Sequence, residues 1–204
     1  MRLHTSVSAH AFTLPLALAL LGLPRLSHAA EDDRGHRGWF VAGGGGAVMG
    51  QAIDKEGRRP DAFYGTGGHF RFGEEVIDRL TLGLDFGGAG GSGKDYDIGA
   101  GGFALQATYR PGVLSEGFVL LGGTGLGAGA FTPAKGVTDP HEGSGGGAFF
   151  QLGLSYELDF FGRPDEGVCF APYLRWQFVP ATDDAHVQIS AFVLGIEVPY
   201  YAGR

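Results

Sequence analysis

Residues 150–158 read FQLGLSYEL, in which large apolar side chains alternate with small or polar ones. A period of two predicts a β-strand with one apolar face and one polar face. The same alternation recurs in five other segments: 64–72, 80–86, 103–110, 170–178 and 192–200. Two glycine-rich segments, 39–49 and 118–131, carry apolar residues on both faces, so their register stays open. The pattern predicts an all-β protein of eight strands.

Segments rich in turn-forming residues separate the predicted strands. The longer connections are 51–61, 87–97, 132–144 and 179–185, and the shorter ones are 73–79, 111–116 and 159–167. Six prolines fall in these connections, where a β-ladder does not need the missing N–H: Pro60, Pro111, Pro133, Pro140, Pro164 and Pro180. Pro172 lies inside the seventh segment, so it predicts a β-bulge there or a later start of that strand.

The first residues predict export from the cytoplasm. A basic start precedes an apolar stretch over 11–23, and Ser27-His28-Ala29 supplies small residues at the two positions that a signal peptidase reads. We predict a signal peptide over 1–29 and a single domain over 30–204. A membrane anchor is the alternative, but it needs about 20 apolar residues. The stretch here is shorter, contains Pro15 and ends at Pro24.

Composition excludes several classes of protein. A net charge of −7 argues against nucleic acid as a partner. The 39 glycines follow no Gly-X-Y repeat, which argues against collagen. The aromatic content of 12% argues against disorder, because such a chain has much apolar surface to bury. Cys169 is the single cysteine, so no intramolecular disulfide stabilises the fold.

The polar faces of the predicted strands carry three positive and three negative side chains: Arg71, Arg110, Arg175, Asp85, Glu157 and Glu197. Most positions between them are glycine, alanine, glutamine or serine, whereas the outside of a soluble barrel carries many more charged and hydroxyl side chains. Small residues suit a narrow lumen, because side chains alone fill an eight-stranded barrel. Charges in such a lumen are tolerable when they are paired. We therefore predict apolar faces outward and an ion-paired network of these six side chains inside.

Aromatic residues are expected to form girdles at the two interfaces of a membrane. The predicted girdle at the end that holds both termini includes Trp39, Phe40, Tyr109, Tyr200 and Tyr201, and Trp176 lies nearer the opposite rim. Two aromatic belts at opposite ends of the strands favour a membrane-spanning barrel.

Three stretches of the chain resemble the small outer-membrane β-barrel proteins of Gram-negative bacteria, the OmpA/OmpX-type and OmpW-type group. They are Gly38-Trp39-Phe40-Val41-Ala42-Gly43, residues 78–84 and residues 195–201, and the resemblance runs over 38–201. It implies an eight-stranded antiparallel up-and-down transmembrane β-barrel in the bacterial outer membrane, with both termini in the periplasm. The implied partners are outer-membrane lipids including lipopolysaccharide, and the barrel-assembly machinery.

Three functions are open at this point. The first is a structural or surface-interaction protein whose lumen is largely closed by salt bridges. The second, which the OmpW-type resemblance implies, is a narrow pore or lateral exit for small or hydrophobic solutes, with room left by Gly65, Gly67, Gly83 and Gly153. The third is a soluble periplasmic barrel that binds a lipid inside.

The sequence predicts no catalytic residue, metal site or cofactor. His69, His141 and His186 have no His-x-x-x-His spacing and no Cys/His cluster beside them. His69 shares the polar face of its strand with Arg71 and is interpreted as a lumen residue, and His141 is interpreted as a solvated loop residue. His186 and Ser190 lie on one face of the last strand, but four residues along a strand span about 13 Å, too far for a nucleophile and its base. Acidic pairs at 95/97 and 183/184 and the basic pair at 58/59 are interpreted as solvated loops, with cation or phosphate binding as the alternative.

Overall fold

The computed structural model describes residues 38–54, 62–112, 117–134, 143–159, 167–180 and 187–203. Within these ranges eight long strands follow one another: β1 Gly38–Asp54, β2 Phe63–Ile77, β3 Leu80–Ser92, β4 Tyr96–Tyr109, β5 Phe118–Pro133, β6 Gly143–Tyr156, β7 Gly167–Val179 and β8 Val187–Gly203. A two-residue strand, Leu158–Asp159, follows β6 and pairs with β7. In the same part of the chain, no helix is long and apolar enough to cross a bilayer. The predicted signal peptide lies outside the described residues and stays a prediction.

Each strand pairs antiparallel with its neighbour in sequence, and the first strand pairs with the last. The closing ladder between β1 and β8 runs without interruption from Gly38 opposite Gly203 to Asp54 opposite Val187. No long strand in the described residues therefore lacks a neighbour on either side. The predicted fold, an eight-stranded antiparallel up-and-down barrel, is confirmed.

The strands are staggered around the barrel. From Phe40, the paired residues lead through all eight strands and back to β1 at Gly50, ten positions further along: Gly73, Gly83, Gln106, Gly123, Gln151, Gln177 and Ala191. This stagger corresponds to a strand tilt of about 40° from the barrel axis at ordinary strand spacing. A tilt of that size is the one that transmembrane barrels use.

Several strands are longer than the sequence pattern predicted. β2 continues to Ile77, so the predicted connection 73–79 shrinks to a turn at Asp78 and Arg79, where Arg79 has a positive φ of 65°. Most of the predicted connection 87–97 is also strand, and β3 and β4 stay paired up to Ser92 opposite Asp97. Most of the paired glycines in both segments face glycines on the next strand, as Gly73 faces Gly83 and Gly88 faces Gly101. Both segments were predicted as connections because they are rich in turn-forming residues. That prediction was wrong for most of their length, because their glycines lie in paired strands.

The expectation for Pro172 was also wrong. β7 begins five residues earlier, at Gly167, and its register against β6 and β8 is the same on both sides of the proline. What Pro172 interrupts is the ladder itself: β6 pairs with β7 up to Ser155 opposite Tyr173, and pairing resumes at Leu158 opposite Phe170. A missing N–H removes a ladder hydrogen bond without requiring an extra residue.

The barrel wall is apolar outside, and its buried charged side chains all point inside. Leu105 and Leu194 are 69% and 64% exposed, whereas the inward Arg71 and Asp85 are 1% and 0% exposed. The predicted faces of the alternating strands are confirmed, and the two open registers are resolved. Even-numbered residues of β1 and odd-numbered residues of β5 point inward. A soluble barrel has the opposite polarity, so the soluble lipid-binding hypothesis is wrong for this fold.

The lumen has two parts with different linings. At the end where β1 runs into β2, the loop end, the lining is apolar, and we call its cluster the apolar half: Val48, Ala52, Phe63, Ala89, Ile98, Phe131, Tyr173, Val187, Ile189, Ala191 and Val193. From mid-barrel to the terminal end, where β1 begins and β8 ends, the lining is mainly polar, and we call it the polar half: His69, Arg71, Thr81, Asp85, Gln106, Thr108, Arg110, Gln151, Ser155, Glu157, Arg175, Gln177 and Glu197.

Candidate functional site: the charged lumen

The six charged side chains singled out in the sequence all lie in the polar half of the lumen. Each side chain reaches the lumen because it occupies an inward position of a strand or lies just beyond the strand's end. Six different strands contribute: Arg71 is on β2, Asp85 on β3, Arg110 after β4, Glu157 after β6, Arg175 on β7 and Glu197 on β8. The fold joins them as three ion pairs of opposite charge, Arg71–Glu197, Arg110–Glu157 and Arg175–Asp85.

The pair Arg71–Glu197 is bidentate. Arg71 donates from Nε to Glu197 Oε2 at 3.1 Å and from Nη2 to Oε1 at 2.8 Å. A third donor, Nη1, lies 3.4 Å from the hydroxyl of Thr108, and the guanidinium carbon stands 5.2 Å from the centroid of the Phe40 ring. Two parallel hydrogen bonds fix the orientation of both groups as well as their distance.

His69 is a further polar group that contacts this pair. The sequence predicted that it lies in the lumen but did not include it in the charged network. Its Nε2 lies 2.8 Å from Glu197 Oε2, and its ring meets the ring of Tyr173 edge-on at 4.9 Å. Gly44 of β1 makes this contact possible, since an ideal Cβ there would stand 2.7 Å from Glu197 Cβ and 2.8 Å from His69 Cε1. The available signal was that His69 shares the inward face of β2 with Arg71.

The pair Arg110–Glu157 lies at the terminal end together with Tyr201. Arg110 Nη2 lies 3.3 Å from Glu157 Oε1 and donates to the Tyr201 hydroxyl at 2.6 Å. That hydroxyl donates in turn to Glu157 Oε1. Arg110 Nη1 reaches the hydroxyl of Thr81 at 3.5 Å. The arrangement ties β3, the ends of β4 and β6, and β8 together across the terminal end of the lumen.

The pair Arg175–Asp85 connects β7 with β3 through a single strong contact. Arg175 Nη1 donates to Asp85 Oδ2 at 2.7 Å and to Gln151 Oε1 at 3.3 Å. Both charged side chains are fully buried. Unlike Arg71, Arg175 uses one of its nitrogens for both of these bonds, so this pair has fewer protein contacts than its neighbour.

The four aromatic residues predicted at the membrane interfaces occupy the outer wall. Trp39 and Tyr200 face outward on adjacent strands at the terminal end, with ring centroids 6.0 Å apart. Tyr109 is an outward residue at the end of β4. Trp176 stacks on Phe178 at 5.4 Å and donates from Nε1 to the Ser190 hydroxyl at 2.8 Å.

Two other predicted girdle residues are not at the interface. Phe40 and Tyr201 are 4% and 5% exposed and pack inside the lumen with Ala42 and Cys169. They occupy inward positions of β1 and β8, so their neighbours Trp39 and Tyr200 face the membrane instead. Whether an aromatic side chain reaches lipid is decided by its own inward or outward position along the strand, and not by how many aromatic rings lie near it in the sequence.

The histidine hypotheses have different outcomes. His141 and His186, the acidic pair at 183/184 and the basic pair at 58/59 lie outside the described residues. Ser190 faces the outer wall, where it accepts the hydrogen bond from Trp176. Asp97 accepts a hydrogen bond from Ser92 at 2.6 Å. In the ranges that the structure describes, no group of three or more His, Cys, Asp or Glu side chains could hold a metal ion.

Solved structures with the same fold are outer-membrane barrels. The attachment invasion locus protein Ail of Yersinia pestis, solved with the heparin analogue sucrose octasulfate, matches with a TM-score of 0.51 at 15% identity, over 80% of this chain and 99% of Ail. Neisserial surface protein A matches with a TM-score of 0.50 at 15% identity, over 80% of this chain and 97% of the other. No family model matches the sequence, and no curated protein matches it.

Fold and lining together define the class. A closed antiparallel barrel with exposed leucines and phenylalanines outside and paired charges inside is built for a lipid bilayer, because each long strand of the described residues is paired on both sides and leaves no open sheet edge. The protein is a transmembrane β-barrel of the small outer-membrane type, as the sequence predicted. Its location is the bacterial outer membrane.

Proposed function

We propose that this barrel is a non-enzymatic structural or surface-interaction protein whose lumen is closed. The observation that carries the proposal is the lining of the lumen from end to end. Apolar side chains fill the loop end, and three ion pairs with their hydrogen-bonded neighbours cross the rest. A solute would have to break buried ion pairs to pass, and breaking a buried pair costs about 3–5 kcal/mol.

The second candidate, a narrow pore or lateral exit, depended on room beside four lumen glycines. At two of them large side chains take up that room. Methyl groups of Val48 and Val193 lie 2.8 and 3.3 Å from an ideal Cβ on Gly67, and Leu121 Cδ1 lies 3.2 Å from one on Gly153. These contacts favour the closed lumen over the pore.

Single-channel recording in planar bilayers tests the closed lumen. We expect no conductance from the wild-type barrel and none from Arg71→Met or Glu157→Gln, because the apolar half still fills the loop end. A matched control is Thr132→Ser, an outward position at the loop end of β5 that touches neither half of the lumen. Steps of defined conductance in the wild type, or in either charge variant but not in the control, would favour the pore.

Membrane insertion is tested by fractionation and gel electrophoresis. We expect the protein in the outer-membrane pellet and expect its migration to change on boiling, since a closed barrel resists detergent until it is heated. Periplasmic release by osmotic shock, with one migration at both temperatures, would contradict a membrane barrel.

The surface role is proposed to involve lipopolysaccharide, and insertion is proposed to use the barrel-assembly machinery. Guanidinium groups bind phosphate bidentately, so the neighbouring Arg58 and Arg59 are the candidate phosphate contacts. In lipid nanodiscs we expect Arg58→Ser/Arg59→Ser to weaken binding of purified lipopolysaccharide. Lys94→Ser, which removes one exposed cation from the β3–β4 turn, is the control. Equal binding by all three proteins would remove lipopolysaccharide phosphate from the proposal.

A further inference from the structure

Buried polar atoms around the Arg175–Asp85 pair have no hydrogen-bond partner among the described residues. They are four donor nitrogens, two acceptor oxygens and two hydroxyl oxygens: Arg175 Nε and Nη2, Gln151 Nε2, Gln106 Nε2, Asp85 Oδ1, Gln177 Oε1, Ser155 Oγ and Tyr173 Oη. All of these side chains are at least nine-tenths buried. Buried polar groups in proteins are almost always satisfied, so each of these atoms requires a partner.

Six of the eight unpartnered atoms lie on five neighbouring side chains: Arg175, Asp85, Gln106, Gln151 and Gln177. Gln151 accepts from Arg175, and Arg175 reaches Asp85 across the barrel from β7 to β3. Gln177 lies beside Asp85, since an ideal Cβ on Gly87 would stand 3.0 Å from Gln177 Nε2 and 3.4 Å from Asp85 Oδ1. Gln106 and Gln151 lie opposite the same residue, Gly123, on its two neighbouring strands. These five side chains therefore form one layer of the lumen, a single site in mid-barrel. Tyr173 of the apolar half borders this layer, because its ring centroid lies 5.7 Å from the Arg175 guanidinium carbon.

The neighbouring Arg71–Glu197 pair has no such deficit. Its bidentate contact, the hydroxyl of Thr108 and the ring of His69 leave none of its nitrogens or oxygens among the unpartnered atoms of the described chain. The difference is local, because both pairs are fully buried in the same lumen.

We propose that the layer around Arg175 and Asp85 is a binding site for a small cluster of water molecules. The mixture of atoms selects this ligand. A metal cation would satisfy oxygens alone, and an anion would satisfy N–H and O–H donors alone while facing the free oxygen of Asp85. Water both donates and accepts, and a buried water typically makes about three hydrogen bonds to groups of this kind. The apolar half above and the Arg110–Glu157–Tyr201 contacts below enclose the cluster, so its exchange with bulk water is slow.

Magnetic relaxation dispersion of water oxygen-17 tests the site in the wild-type barrel held in detergent micelles. We expect a component from long-lived internal water. Arg175→Met/Asp85→Leu should reduce that component by about half or more, because it removes the charged atoms that hold the cluster. The matched control Arg71→Met/Glu197→Leu removes a pair whose atoms already have protein partners, so it should not reduce the component.

A crystal structure of the wild type at high resolution provides a second measurement that does not depend on either variant folding. Solvent density within hydrogen-bond distance of Arg175 Nη2 and Gln106 Nε2 would support the site. Direct contacts between these side chains, with no density between them, would overturn it. Anomalous density after a bromide soak would overturn it in favour of an anion.

The slow exchange rests on the proposed closed lumen, whereas the presence of the water does not. Ordered density together with rapid exchange and measurable conductance would therefore keep the water site and contradict the closed lumen. A silent barrel with neither ordered solvent density nor long-lived water would contradict the water site and keep the closed lumen.

Discussion

In the apolar half of the lumen each side chain packs against several others, and in the polar half each charged group depends on one or two named partners. Ile189, for example, lies in a cluster of eleven residues from seven strands, whereas Glu197 binds Arg71 and His69. Packing is non-directional, so volume is what the apolar half needs. An ion pair is directional, so the polar half depends on the chemical identity of each partner side chain. The two halves should therefore respond differently to substitution.

The largest effect is expected from removing one member of the bidentate pair. Arg71→Met leaves the Glu197 carboxylate buried with His69 alone, which should lower the free energy of unfolding by about 3–5 kcal/mol. Urea titration in lipid vesicles, with the folded fraction read from gel mobility, measures the change. Arg71→Met/Glu197→Leu should recover most of the loss, because an apolar pair of similar volume needs no charge partner. A double variant that is less stable than the single one would contradict the dependence of each charged group in the polar half on its partner.

A cavity in the apolar half is expected to cost nearly as much. Ile189→Ala removes a fully buried side chain, so the free energy of unfolding should fall by about 2–5 kcal/mol in the same titration. Ile189→Leu conserves volume and should cost less than about 1.5 kcal/mol. Equal losses for the two variants would contradict the view that volume alone matters in this half.

The terminal end allows a smaller test of the polar half. Tyr201→Phe keeps the ring beside Phe40 but removes the hydroxyl that bridges Arg110 and Glu157. A hydrogen bond to a charged group contributes about 1.5–3 kcal/mol, so a loss of that size is expected. The titration of Tyr200→Phe, whose ring faces outward, is the matched control and should show little change. Similar losses in both variants would assign the effect to the membrane interface.

The smallest effect is expected from adding volume where the apolar half has none to spare. Gly129 lies against Ile189 Cδ1, so Gly129→Ala forces that side chain to move. Overpacking of this kind typically costs about 1–3 kcal/mol. Combining Gly129→Ala with Ile189→Val makes room and should cost less than the sum of the two single changes in a double-mutant cycle. Strict additivity would place the two residues out of contact.

The alternation of side chains could be predicted because it is written locally. In 150–158 each residue's neighbours in sequence are enough to assign it to one face, and the same holds for 80–86. Strand ends were predicted less well. Glycine signals a turn when it stands alone in the sequence, but residues 87–91 stay in β3, where most of the residues that face them across both ladders are glycine or alanine. That information lies in other strands.

The pairing of the charges could not be predicted from the sequence either. Three positive and three negative residues allow several pairings, and Arg71 meets a glutamate 126 positions away. Which groups meet depends on the stagger of the strands, a property of the closed barrel rather than of any one segment. The contact of His69 with Glu197 was missed for the same reason, since it follows from the position of Glu197 on β8 and of Gly44 between them.

The uninterrupted ladder between β1 and β8 also sets an order of events when the chain assembles. Gly38 meets Gly203, so the first strand to be exported must wait for the last one before its outer edge is covered. During that interval β1 presents a long row of free N–H and C=O groups, which is the template on which strands of other chains add. Contacts between residues so distant in sequence also form slowly. A newly exported chain is therefore most exposed to aggregation at the very seam that later makes the finished barrel continuous.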